Sequence, residues 1–329
     1  MTGSILLHYG LLAGAAGAGS AALIWLMLKA GIASRFLDKP NERSLHDTPT
    51  PRLGGICLIA AALGVALFAG AGDLLPVLAA AGVLAVVSVF DDIRSLPAYI
   101  RFGSHLLAAI AMVWAYPLPP AWLMAMAVIY IAWHTNLYNF MDGMDGFSGG
   151  MAVLGFGAFS IAALQSGAMA LGVVSLSLTG AAIGFLAFNF PPARVFMGDA
   201  GAIPLGFLAA TLSYLGYRNG VWPWWFGPFV FSPFIVDASV TLLRRIFAGE
   251  KVWAAHKSHY YQRMAQSGLG HLATTMRWYV LMIAVVACAL YFRDHAPVEI
   301  AGLAVVWAAI YLAAMLWIDR LWPRQRVNG

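Results

Sequence analysis

Residues 74–94 read LLPVLAAAGVLAVVSVFDDIR. From Leu74 to Phe90 there is no charged side chain, and then two carboxylates, Asp91 and Asp92, arrive together. An apolar run of this kind asks for a helix in lipid. A carboxylate costs about 2.5 to 3.5 kcal/mol at the centre of a bilayer helix and less near its end. The pair therefore marks the end of a span, and two adjacent carboxylates invite a cation or a proton.

The rest of the chain repeats this grammar. Of its 329 residues 61% are hydrophobic and 10% charged, against about 25% charged in soluble domains. Eleven apolar runs read as spans: Ile5 to Leu28, Leu53 to Gly70, Leu74 to Phe90, Phe102 to Tyr116, Ala121 to Leu137, Phe147 to Leu164, Ala168 to Phe188, Ala202 to Tyr217, Trp224 to Ile246, Met276 to Tyr291 and Val298 to Ile318. Nothing alternates with the period of barrel strands. The expected fold is all-α, a polytopic bundle of about eleven transmembrane helices forming a single membrane-embedded domain over 1–329.

Orientation follows from the basic residues. With the first loop inside, Arg35, Lys39, Arg43, Arg52, Arg94, Arg101, Arg194, Arg244, Arg245, Lys251, Lys257, Arg263, Arg277, Arg320, Arg324 and Arg326 are all inside, and only Arg218 and Arg293 are outside. This predicts an outer N-terminus and a cytoplasmic C-terminus. The net charge of +5 is then mostly this bias, and no nucleic-acid partner is called for. The first span lacks a basic leader, so it reads as an anchor rather than a cleaved signal. Cys57 and Cys288 sit in apolar runs and read as small core residues.

The outer connections are short and plain, whereas the inner ones carry the chemistry. After Asp91-Asp92, with Arg94 and Arg101 beyond, comes Asn136, Asn139 and Asp142, three residues apart and so on one helix face, followed by Gly143, Asp145 and Gly146. The segment Asn189 to Gly201 has paired prolines that end a helix and then places Phe196 beside Gly198-Asp199, a ring suited to stacking on a flat ligand. The last inner loop holds His256, Lys257, His259, Tyr260, Gln262 and Arg263, a donor-rich patch for phosphate oxygens. No Cys or third His is near enough to complete a zinc site there. Asp237 stands apart inside an apolar run, either a functional acid or half of an ion pair with Arg244 or Arg245. Carboxylates from three loops with no thiol favour a hard cation such as Mg²⁺, and the basic groups favour phosphate. Metal-assisted phosphoryl transfer with a lipid co-substrate is the predicted chemistry.

Five blocks, Pro49 to Gly55, Asp91-Asp92, Asn136 to Gly146, Asn189 to Gly201 and His256 to Arg263, together resemble the polyprenyl-phosphate N-acetylhexosamine-1-phosphate transferase superfamily (glycosyltransferase family 4) from about Asp38 to Arg277. The resemblance implies a UDP-N-acetylhexosamine donor, an undecaprenyl phosphate acceptor in the bacterial inner membrane, Mg²⁺ or Mn²⁺, and UMP as product. A homodimer is left open. By matched position it implies that Asp199, with support from Asp92, binds the metal, and that Asp91 deprotonates or orients the lipid phosphate. Phe196 would stack on uracil, and Asn136, Asn139, Asp142 and Asp145 would line the nucleotide pocket. Asn189, Arg101, His256, His259 and Arg263 would meet phosphate or sugar. The block His256-Lys257-Ser258-His259-Tyr260-Tyr261-Gln262-Arg263 lacks the consecutive histidines of the peptidoglycan branch and is similar to enzymes that start O-antigen or related polysaccharides. N-acetylglucosamine, N-acetylfucosamine and N-acetylquinovosamine are the donor sugars this implies. The rival of another class is a transporter or flippase for a nucleotide-sugar or lipid-linked sugar, which requires polar residues spaced through the spans. Among enzymes, a CDP-alcohol phosphotransferase lacks its Asp-Gly-Ala-Arg pattern here, and a prenyltransferase would need a further Asp where Ser95 stands.

Overall fold

The computed structural model describes residues 3–38, 40, 45, 48–94, 96–251 and 256–322. Lys39, Arg43, Ser95, Arg324 and Arg326 lie outside the described residues. Each of the eleven apolar runs is helical, because lipid offers the backbone no hydrogen bonds and the helix satisfies them internally. The long helices are α1 (Gly3–Lys29), α2 (Gly54–Phe68), α3 (Leu75–Arg94), α4 (Ala98–Ala115), α5 (Ala121–Phe140), α6 (Phe147–Gln165), α7 (Met169–Asn189) and α8 (Asp199–Arg218). There follow α9 (Phe226–Val230), α10 (Ser232–Phe247), α11 (Tyr260–Met264), α12 (Gly270–Phe292) and α13 (Pro297–Leu321). Strand-like backbone among the described residues is confined to Leu37–Asp38 paired antiparallel with Thr50–Pro51.

Three of the expected spans differ from plain membrane-crossing helices. Eight helices among the described residues have both the length and the composition to cross a bilayer. The run from Leu53 condenses to the 15 residues of α2, short of the ~20 a crossing needs. Helix α5 is long enough but carries His134, Thr135, Asn136 and Asn139 in its second half. The run Trp224 to Ile246 is broken at Phe231, with φ −93° and ψ 10°, into α9 and α10. Pro233 in the first turn of α10 has no N–H to continue a helix from α9.

Helix α8 is the hub. It packs against α5, α3 and α2, and 94% of its apolar window is buried, as expected of a helix apolar on every side. Helix α13 is the opposite case, 11% buried, with Val305, Leu312 and Leu316 facing outward where lipid is the natural solvent. Backbones touch where Cβ atoms are missing: Gly180 and Gly184 of α7 lie against the carbonyls of Ala13 and Gly17 of α1, and Gly55 of α2 meets Gly201 of α8. The last contact draws α2, and the residues just before it, onto the start of α8. The ends of α3, α5 and α7 and the beginnings of α6 and α8 then come together at one end of the bundle.

Candidate active site

A cavity of about 320 Å³ opens at this end, lined by Asp38, Leu45, Arg52, Asn139, Asp142, Gly143, Met144, Asp145, Asn189, Phe196, Met197, Gly198, Asp199, Gln262 and His271. Its floor is the turn between α5 and α6. Asn189, at the end of α7, accepts the Gly146 N–H through Oδ1 at 2.9 Å and donates through Nδ2 to the Val195 carbonyl at 2.9 Å. Asp145 accepts the Ala193 N–H at 2.9 Å, while Thr275 donates to its carbonyl at 2.9 Å. Two loops separated by a whole hairpin of helices are stitched together by the side chains of two lining residues.

The third wall is laid by the chain before α2. Phe196 donates its N–H to the Pro51 carbonyl at 2.8 Å, and Gly54 and Gly55 donate theirs to the carbonyls of Phe196 and Met197, each at 3.0 Å. This ladder sets the half-buried Phe196 ring and Arg52 on the same cavity. Gly198 has φ +72°, which a side-chain-bearing residue rarely adopts, and a Cβ there would press on Arg52 and on Asp92. The glycine lets α8 begin with Asp199 directly at the cavity.

Charge is concentrated here. Asp199 lies within electrostatic reach of Asp91 and Asp92, with Arg52 as counter-charge to both Asp92 and Asp199. Asn139 hydrogen-bonds the Asp199 carboxylate, and the Ala200 N–H bonds to Asp92. Asp142 bonds to Ser148 and to the Gly198 backbone, yet burial, seconded by the Asp199 charge, pushes its carboxyl up to about 7. Carboxylates gathered in a site of this kind favour a cation or a proton beside them.

Of the expected site residues, Asn139, Asp142, Asp145, Asn189, Phe196 and Asp199 line the cavity, and Asp92 stands behind Gly198. The others are engaged elsewhere. Asn136 does not line the cavity: its Oδ1 meets His105 Nδ1 of α4 at 3.0 Å and its Nδ2 donates to the Ala132 carbonyl at 2.7 Å. Asp91, nearly buried, accepts the Leu96 N–H at 2.6 Å and pairs with Arg101 at 3.4 Å. Arg263 pairs with Asp319 of α13 at 2.8 Å and donates to the Ser258 carbonyl at 2.7 Å. His256 lies at 4.8 Å, ring to ring, from His259, and burial, with His259 and Arg245 adding to it, lowers its pKa to about 4. His259 is buried, 3.4 Å from Asp237 and stacked on Phe140 and Tyr261. Asp237 itself accepts the N–H groups of Tyr260 and Tyr261, each at 2.9 Å. Its partners are the Thr241 hydroxyl, which donates to it at 3.1 Å, His259 and the start of α11, not Arg244 or Arg245. Among the described residues no group of three or more His, Cys, Asp or Glu closes on one point.

Among the lining residues that carried no assigned role in the sequence, the two able to carry positive charge are Arg52 and His271. Arg52 sits inside the Pro49 to Gly55 block but is salt-bridged to Asp38 at 2.6 Å. His271, the second residue of α12, meets Asp145 at 3.0 Å and the Leu45 carbonyl at 3.0 Å. Arg52 was visible as the basic residue of a recognised block. His271 belongs to no block and had no signal to give.

Fold and site define a multi-pass membrane protein with an acidic, cation-flanked cavity at one end of its helix bundle. The chain matches glycosyl transferase family 4 over residues 74–217. It is 27% identical over 316 residues to the probable undecaprenyl-phosphate N-acetylglucosaminyl 1-phosphate transferase of Bacillus subtilis, covering 86% of this chain and 82% of that protein. It is 27% identical over 323 residues to the decaprenyl-phosphate N-acetylglucosaminephosphotransferase of Mycobacterium tuberculosis, covering 82% and 80%. A phospho-N-acetylmuramoyl-pentapeptide-transferase of Lacticaseibacillus paracasei is 29% identical over 200 residues, covering 52% and 62%. These similarities point to the polyprenyl-phosphate N-acetylhexosamine-1-phosphate transferase superfamily.

Proposed function

We propose that the protein transfers an N-acetylhexosamine-1-phosphate from a UDP-sugar to a polyprenyl phosphate, releasing UMP, and that the cavity around Asp199 is where this occurs. The observation that carries the site assignment is the convergence of Asp142, Asp199, Arg52 and Phe196 on one cavity at the end of a membrane bundle. The names of the relatives from Bacillus subtilis and Mycobacterium tuberculosis support a donor of the N-acetylglucosamine kind and a polyprenyl phosphate acceptor. The muramyl-pentapeptide relative matches a smaller share of the chain, in keeping with the His-Tyr-Tyr-Gln-Arg block. The product starts a lipid-linked surface polysaccharide, O-antigen or related. The basic-residue bias puts the cavity on the cytoplasmic side of the bacterial inner membrane, with the N-terminus outside.

The donor set suits Mg²⁺, with Mn²⁺ as a substitute. Asp199 and Asp92 would hold it with hard oxygens, and no thiol lines the cavity. Mg²⁺ commonly takes one or two carboxylates and completes its shell with phosphates and water, so a full protein cage is not required. Bound there, the ion would neutralise the diphosphate.

Phe196 stacks on uracil, and Asn139 holds the Asp199 carboxylate in place. Arg52 supplies the cationic group for the diphosphate, the place first given to His256, His259 and Arg263, and His271 braces Asp145 beside it. A lipid phosphate has its second pKa near ~6, so most of it is already dianionic at neutral pH. Asp91 therefore orients, holding Arg101 and the turn through Leu96 at the membrane end of α3, rather than removing a proton. An oxygen of the lipid phosphate bonds to the β-phosphorus of the UDP-sugar as the bridge to the α-phosphate breaks, and UMP leaves with that bond's electrons.

The test is UMP release by membranes carrying the protein, given a panel of UDP-sugars, polyprenyl phosphate and Mg²⁺. Release that needs both substrates and stops with EDTA supports the reading. Transport of the UDP-sugar without UMP release would favour the flippase instead. Exchange of labelled UMP into UDP-sugar by lipid-free enzyme, surviving Asp91→Asn and lost in Asp199→Asn, would replace the single step by a covalent one.

A further inference from the structure

The α11 segment is too short to stand alone. Its five α-helical residues run straight into a π-helical turn over Ala265–Leu269, kinked at Gly268 with φ +100°, before α12 begins, and so short a piece gains little from its own hydrogen bonds because nucleation is unfavourable. It nevertheless forms one wall of the cavity, through Gln262. Its Tyr261 hydroxyl reaches the Phe140 carbonyl at 3.2 Å and occupies the space where a Cβ of Gly143, a lining residue, would lie. Wherever α11 sits, that side of the cavity follows.

Two carboxylates from different helices hold it. Asp237 of α10 accepts the first N–H groups of α11 from below. Asp319, in the last turn of α13, does something the transfer reaction alone does not require. Its Oδ2 meets Arg244 of α10 at 2.7 Å and its Oδ1 meets Arg263 of α11 at 2.8 Å. Arg244 also bonds the Tyr260 hydroxyl. The Arg263 guanidinium is sandwiched between the rings of Tyr260, at 5.0 Å, and Trp322, at 4.8 Å. Arg263 is mostly buried and Asp319 partly so, so this pair is screened less than surface pairs are. Helix α13 is otherwise an outlying, lipid-facing helix. Its polar end is spent on α11.

We propose that Asp319 is a positioning residue of the transferase: it latches α11 to α10 and α13 through Arg263 and Arg244, and so fixes the Gln262 wall of the donor cavity without touching substrate. The assignment rests on the transfer reaction proposed above. It also gives a reason for Arg263, whose guanidinium is taken up by this latch.

The experiment uses the full chain in detergent or nanodiscs, with UDP-N-acetylglucosamine and polyprenyl phosphate as substrates. Asp319→Ala is expected to raise KM for the UDP-sugar about tenfold while KM for the lipid and kcat stay within about twofold, the signature of lost uniform donor binding. Amide exchange of residues 260–264 should quicken at least about tenfold with the exchange of α6 and α8 unchanged. Asp319→Glu should restore both. The double variant Asp319→Ala with Arg263→Ala should be no worse than either single one, because the two share one interaction. Unchanged exchange at 260–264 in Asp319→Ala overturns the latch. So does faster exchange spread evenly over all helices, or faster local exchange with the donor KM unmoved. If wild-type protein releases no UMP from any UDP-sugar, the transfer reading fails, and the exchange measurements still decide the latch.

Discussion

The two regions of the molecule richest in polar residues use them in opposite ways. Around α5 to α8, Asn139, Asp142, Phe196 and Asp199 turn into the cavity, held by the backbone ladder between Pro51 to Gly55 and Phe196-Met197 and by the side chains of Asn189 and Asp145 bonded to backbone. Around α11, His259, Arg263, Asp237 and Asp319 turn on one another, and the scaffold is the side chains themselves. The difference follows from what each segment has beside it. Long buried helices fix the first, so its polar groups can face the cavity. The second leads into a five-residue helix that runs on through a π-helical turn kinked at Gly268, and its start is braced by charge. A basic residue near an acidic site is thus not thereby a phosphate ligand, and its partners decide.

Exchanging one carboxylate for an amide in each region should separate them most sharply. Asp199→Asn is expected to abolish UMP release with the melting temperature unchanged or raised, since it removes the charge proposed to bind Mg²⁺, which has like charges for neighbours. Asp237→Asn should do the reverse, lowering the melting temperature because a fully buried acceptor of two backbone N–H groups is weakened. Thermal unfolding followed alongside UMP release checks both. Equal losses of stability in the two variants would erase the distinction.

Next in size is the aromatic ring. Phe196→Ala should weaken UDP-sugar and UMP alike, by about 1 to 3 kcal/mol if stacking on uracil is its work, while Phe196→Tyr keeps most of the affinity. His256→Ala, in the braced loop, should leave the UMP inhibition constant within about twofold, because a neutral ring outside the cavity has no charge to offer the phosphate. An unchanged inhibition constant in Phe196→Ala would reduce the ring to packing.

Much of this was legible in the sequence. Every apolar run became helical because length and the absence of charge are local properties that lipid reads directly. Asn139, Asp142, Asp145, Asn189, Phe196 and Asp199 were found because they sit at helix ends beside glycines and prolines, where a motif is also a place. Direction was not legible. Asn136 shares a helical spacing with Asn139, but His105 on α4 claims it. The fate of Arg263 depends on Asp319, a partner 56 residues on. His271 reaches Asp145 and Leu45 from far along the chain. Partners separated by whole spans are set by tertiary packing, and no local pattern records them.

Arg52 allows a finer cut through the same contrast. Arg52→Ala should raise KM for the UDP-sugar about tenfold, near the low end for a charge-assisted hydrogen bond because this side chain is partly solvated. It should also alter UMP inhibition less than it alters UDP-sugar binding, since UMP lacks the β-phosphate. Arg263→Ala is expected to shift donor KM too, but only together with faster amide exchange in residues 260–264. Steady-state kinetics paired with exchange tells a direct contact from an indirect one. Faster exchange of that segment in Arg52→Ala would place Arg52 among the braces.

The last expected effect is on stability against pH, and its sign differs between the two regions. Asp142 has its pKa raised from 3.8 to about 7, chiefly by burial. The folded protein therefore binds more protons than the unfolded chain between those values, and stability must fall as pH rises through that window. Below the unfolded pKa the residue is protonated in both states and costs nothing, whereas above about 7 it is charged in both and the full penalty of the buried charge is present. Ligand-free protein should accordingly melt a few degrees lower at pH 8 than at pH 5 through this residue, a size appropriate to about 2 to 3 kcal/mol in a large chain. Asp142→Asn cannot ionise, so its melting temperature should change less over the same interval, and the two curves should converge toward the acid side. His256 gives the control in the braced loop. Its pKa is lowered to about 4, so it is already neutral in the folded protein at pH 5 while the unfolded chain still takes up a proton near 6.5. Its contribution makes stability rise with pH from about 4 to 6.5, opposite in sign, and His256→Asn should remove that rise. Parallel melting curves for wild type and Asp142→Asn from pH 5 to 8 would mean that the Asp142 carboxyl is ionised throughout, and that Arg52 rather than a proton answers its charge.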